Sequence, residues 1–120
     1  MQSNLFLRRY LCSEQVSVVR QPGRRSVETL AGNLEEIGEW SALVLTQTAV
    51  SPGTKVRVKR QTEELTGSVR SCTFDRVLGF FIDIRLDIES RWSEKWFVPE
   101  HLFTLCPSMR YFTERAPKVT

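Results

Sequence analysis

The stretch from Leu30 to Asp87 carries AGNLEEIG (31–38), WSALVLTQ (40–47), TKVRVKR (54–60), ELTGSVRSC (64–72) and GFFIDIRLD (79–87). Two of these alternate cleanly. Val56 and Val58 fall on one face, with Lys55, Arg57 and Lys59 on the other. Phe80, Ile82, Ile84 and Leu86 likewise oppose Asp83, Arg85 and Asp87. Side chains on a strand point to opposite faces in turn, so a period of two marks a strand with one face in a core. The segment from Leu65 returns with Leu65, Gly67, Val69 and Ser71 expected inward, after a hairpin connection at Gln61-Thr62-Glu63-Glu64.

Working outward, Ser51-Pro52-Gly53 and Gln21-Pro22-Gly23 are turn signals, because proline presets its φ and glycine accepts the positive φ of a tight turn. Before the second of these, Val16 to Arg20 is rich in β-branched residues and reads as a strand. Between Val27 and Ile37 the apolar spacing fits a helix face as well as a strand. A strand is preferred, since Gly32 and Gly38 would each cost a helix about 1 kcal/mol. Six strands with short connections predict a mainly β fold, a small six-stranded antiparallel β-barrel, in which closure removes exposed edges. The expected layout is an N-terminal arm over 1–15, the barrel over 16–88 and a C-terminal extension over 89–120 packed on it. That extension holds Trp92, Trp96 and Phe97. It reads as a segment folded back over an open barrel end or as a binding platform, the first being preferred. Pro99 to Phe103 reads as one helical turn, which makes the tail a short helical and aromatic one.

The totals set limits. At 120 residues with 41% hydrophobic and 26% charged content, the chain is one soluble domain, large enough to bury a core unaided. A net charge of +3 lacks the dense basic stripe of a dedicated nucleic-acid binder. Cys12, Cys72 and Cys106 are widely spaced and odd in number, with no CxxC pair, and His101 has no cysteine at zinc spacing. This predicts reduced thiols in a cytoplasmic protein and no structural metal. No signal peptide or membrane insertion is expected, because MQSNLFLRRYLC has no continuous apolar core and no apolar run reaches spanning length. With one histidine and no nucleophile–base pairing at useful spacing, the chain reads as a non-enzyme.

The candidate binding residues start at the first turn. Arg20, Arg24 and Arg25 crowd around Pro22-Gly23, where their mutual repulsion asks for an anion. A solvated basic loop is the plainer reading. The ordered pieces are similar to the PilZ domain, a six-stranded barrel family that binds cyclic di-GMP through an RxxxR motif and a [D/N]xSxxG motif. Arg20-Gln-Pro-Gly-Arg24 resembles the first motif. Glu36-Ile-Gly-Glu-Trp-Ser41, followed by Ala42-Leu-Val44, resembles the second, with Glu36 for Asp or Asn, Gly38 for Ser and Ser41 for Gly. A second register, Asn33 to Gly38, keeps Asn and Gly but puts Glu35 at the Ser position and leaves the following strand out of phase, so the first, which preserves Ala-Leu-Val, is preferred. Ser51-Pro-Gly-Thr-Lys-Val56, Gly67-Ser-Val-Arg70 and Leu78-Gly-Phe-Phe-Ile82 resemble the family's later strands.

The resemblance implies a cyclic di-GMP receptor or adaptor in bacterial signalling, with Arg20, Arg24, Arg25, Glu36, Gly38 and Ser41 at the ligand. It implies no catalytic residue, metal or resident cofactor. Guanidinium forks suit phosphate and guanine. The lost serine hydroxyl and the carboxylates of Glu35, Glu36 and Glu39 oppose a dianion. The alternative is a PilZ-like protein–protein interaction module that has lost nucleotide and works through its aromatic tail and a protein partner. A third, weaker reading is a barrel binding single-stranded nucleic acid through Lys55, Arg57 and Lys59, with Trp40 to stack on bases.

Overall fold

A computed structural model describes residues 9–21, 26–92 and 102–105. The strands are β1 (Arg9–Arg20), β2 (Glu28–Gly38), β3 (Ser41–Thr46), β4 (Lys55–Arg60), β5 (Glu63–Asp75), β6 (Gly79–Leu86) and β7 (Leu102–Leu105). All pairings are antiparallel, in the order β2-β3-β6-β5-β4-β1-β7, and β1 also pairs β2. That last pairing closes strands one to six into a barrel. β7 lies outside the cycle, on β1.

The period of two becomes the core. Val18, Leu34, Ile37, Val44, Ile82 and Ile84 are fully enclosed, and Val56, Val58, Leu65, Val69 and Leu86 nearly so. Each such side chain stabilises the fold by about 1.5–3 kcal/mol relative to exposure. Glycine at position 67 has a packing reason: it sits between Val56 of β4 and Leu86 of β6, and a Cβ there would collide with the Arg85 carbonyl oxygen. The Arg60 guanidinium bonds Glu14 at 2.7 Å and ties the end of β4 to β1.

Several expectations need correction. The segment Arg9–Gln15, assigned to an arm, is the first half of β1, where it pairs with both β2 and β7. A register shift between Leu11 and Glu14 breaks its alternation. Leu102 and Phe103 belong to β7 and not to a helical turn, and the helical element among the described residues is the 3-10 turn Ile88–Ser90. Glu63 and Glu64 already belong to β5, which leaves Gln61-Thr62 as the turn, with Gln61 at φ 55°. Ser71 is exposed, because a bulge between Val69 and Ser71 reverses the facing of β5 beyond it. Phe80 is half-buried, since it lies where β6 passes the barrel mouth.

Trp92 is buried with the core, edge-on to Tyr10 with ring centroids 5.5 Å apart, and its backbone N–H donates to the Glu39 carbonyl at 3.0 Å. Ser90 Oγ accepts from the Thr66 N–H at 2.8 Å. Trp96, Phe97 and Pro99 lie outside the described residues. No helix among the described residues is long and apolar enough to cross a membrane.

Candidate functional site

The two halves of the anticipated ligand site sit at opposite ends of β2. Arg20 pairs with Glu28 at one end, and Gly38 lies opposite Arg9 at the other. Eleven residues at about 3.3 Å each put roughly 30 Å between those ends. At the first end, Arg20 Nε bonds Glu28 at 2.6 Å and Nη1 donates to the Ala49 carbonyl at 3.1 Å. Glu28 thus supplies an anion to Arg20. Arg24 and Arg25 lie outside the described residues.

At the second end, each motif position faces an arginine that sequence reasoning did not assign. Arg9 Nη1 bonds Glu36 at 3.1 Å, and Arg9 is the cross-strand partner of Gly38. Ser41 is half-buried opposite Arg85 of β6. Arg91 bonds Glu39 at 3.4 Å and lies over the Trp40 ring at 5.4 Å. Of the carboxylates that oppose a dianion, Glu36 and Glu39 are therefore partly neutralised by local guanidiniums, while Glu35 accepts from the Asn33 amide at 2.6 Å. Arg9 falls in the segment read as an arm, and only the register of β1 on β2 brings it here.

Beside the end of β1 is a groove of about 360 Å³ whose lining includes Val19, Val56, Lys55, Arg57 and Asp87. Lys55 and Arg57 point outward as expected of the basic strand. Both already face carboxylates, Lys55 with Asp87 at 3.6 Å and Arg57 with Glu64 at 3.9 Å. Such exposed pairs are worth little energetically, but they reduce the positive field offered to a polyanion. No group of three or more His, Cys, Asp or Glu among the described residues is placed to hold a metal ion.

Cys12 and Cys72 are both free thiols. Cys12 Sγ donates to the Leu34 carbonyl at 3.5 Å. Burial first, then the charges of Glu35, Glu14 and Glu36, push its pKa from 9.0 up to about 12. A pKa raised on folding favours the fold fully below the unfolded value. That contribution is lost as pH climbs through the window from 9.0 toward about 12. Nearer neutrality the thiol stays protonated and is a poor nucleophile. Brief alkylation of the native protein should modify the Cys72 peptide and spare the Cys12 peptide, as read by mass spectrometry. Equal labelling of both before denaturation would contradict the buried placement of Cys12.

No family model, curated protein or solved structure matches the chain.

Proposed function

We propose that the chain is a PilZ-like barrel that acts as a protein-interaction module in bacterial second-messenger signalling, without cyclic di-GMP bound across its two motifs. The observation that carries this reading is the separation of Arg20 from Gly38 and Ser41 by the length of β2. One cyclic dinucleotide cannot touch both. The engagement of Arg20 by Glu28 and Ala49 supports it further, since a guanidinium already bonded gains less from a phosphate. A cytoplasmic setting is supported by the two free thiols.

A second reading keeps cyclic di-GMP at the Gly38–Ser41 end, and the observation favouring it is Arg9 beside Glu36 and Gly38. Calorimetric titration of cyclic di-GMP separates the two. The interaction reading expects no heat with wild type at ligand concentrations near a millimolar (about 1 mM corresponds to roughly −4 kcal/mol). Binding abolished by Arg9→Ala and kept by Arg20→Ala would establish the second reading. Binding abolished by Arg20→Ala/Arg24→Ala would overturn both.

A further inference from the structure

The β5–β6 hairpin reaches past the rest of the barrel. The last pair between β4 and β5 is Lys55 with Ser68, followed by two loop bonds between Val69 and Gly53 and Thr54. β5 nevertheless continues to Asp75, bonded only to β6. Beyond Arg70 its outer edge has no strand partner among the described residues. Natural sheets blunt open edges with charge, proline or a bulge. Here the bulge falls before the open segment, and Ser71-Cys72-Thr73-Phe74 carries no charge, proline or glycine.

The face beside that edge is apolar and uncovered. Phe74 packs on Phe80 with centroids 5.0 Å apart yet is 60% exposed, and at the tip Val77 is 88% and Leu78 48% exposed. The tip is held in shape: Asp75 Oδ1 accepts the N–H groups of Val77 and Leu78, each at 2.9 Å, and Gln47 donates to the Leu78 carbonyl at 2.8 Å. Arg70 and Arg76 stand exposed at the two ends of the open segment, while the Asp75 carboxylate is turned into the turn.

We infer that the outer edge of β5 from Ser71 to Asp75 is a strand-addition site for an extended peptide segment of another protein, with apolar residues at alternate positions and acidic residues flanking them. Unpaired backbone N–H and C=O groups select a strand, because a peptide satisfies them and a lipid tail does not. Alternate apolar side chains of the added strand lie over Phe74 and the tip, and the flanking acids meet Arg70 and Arg76. The inference gives the interaction reading a surface and a partner chemistry, and it rests on that reading.

The test uses a phage-displayed random-peptide library selected on the full-length protein, followed by titration of the enriched peptides. Expected are peptides with alternating apolar residues and acidic flanks, slowed amide exchange over Ser71–Asp75, and an affinity loss of roughly tenfold or more in Phe74→Asp and in Val77→Asp. Both side chains are exposed, so the variants should keep the fold, which circular dichroism checks. Failure to enrich any peptide, or peptides indifferent to both variants, would overturn the site. A dimer abolished by Phe74→Asp would replace the partner with a second copy of the chain. Binding to phosphatidylserine vesicles abolished by Val77→Asp, without peptide binding, would replace it with a lipid surface. Heat with cyclic di-GMP alongside captured peptides would overturn the nucleotide-free reading and leave this site standing. No heat and no peptide would do the reverse.

Discussion

Replacing Trp92 with alanine should lower the unfolding free energy by about 3–5 kcal/mol, the range for losing a buried aromatic. Trp92 is 3% exposed, and its ring fills the barrel end under Tyr10. A chain of this size has only about 5–15 kcal/mol to lose, so the variant should be marginal at physiological temperature. Urea unfolding followed by circular dichroism measures this, with Trp92→Phe expected to recover most of the loss. A loss below about 1 kcal/mol would place Trp92 among side chains that merely cover the surface. Such a result would also make the Trp92 ring dispensable to the barrel core. The expected result makes Trp92 part of that core.

Gly67→Ala should cost about 3 kcal/mol, at the upper end for adding one methyl group to a tightly packed site. The new Cβ would meet the Arg85 carbonyl oxygen and press on Ile84 Cγ2 at 2.9 Å. Neither neighbour can retreat cheaply, because β5 is bonded at this point to Val56 on one side and Leu86 on the other. Gly53→Ala is the control. Gly53 has a φ of +91° but nothing within 4 Å of its added carbon, so it reports backbone strain without collision. Equal losses in the two variants would show that strand crowding at Gly67 is relieved by a small shift of β6.

The barrel was legible wherever one face of a strand is buried along its whole length. Val56 and Val58 and the series Ile82, Ile84, Leu86 announce their strands, because nothing interrupts the two-residue period there. Legibility failed at bulges. Between Leu11 and Glu14 and again between Val69 and Ser71 the period slips, which hid half of β1 and reversed the facing of Ser71. The candidate site suffered more, because its geometry is a matter of register between strands. RxxxR spacing around Arg20 says nothing about where β1 ends relative to β2. The pairing of Arg20 with Glu28, and of Arg9 with Gly38, emerges only when the strands are laid side by side. A cue to Arg9 was present in Arg8-Arg9, but the polar Cys-Ser-Glu-Gln that follows reads as loop composition.

One edge of β1 is bonded to β2, and the other is shared by two segments distant in the chain: β4, at Ser17 with Lys59, and β7, at Arg9 with Leu105. As the chain leaves the ribosome, the pairs β1–β2, β4–β5 and β5–β6 can form from neighbouring residues, whereas the second edge of β1 waits for β4 and β7. Contacts of such high sequence separation make folding slow, because loop-closure entropy is lost before the pairing compensates. Until Leu105 emerges, the Arg9–Cys12 part of that edge stays open to whatever strand it meets first.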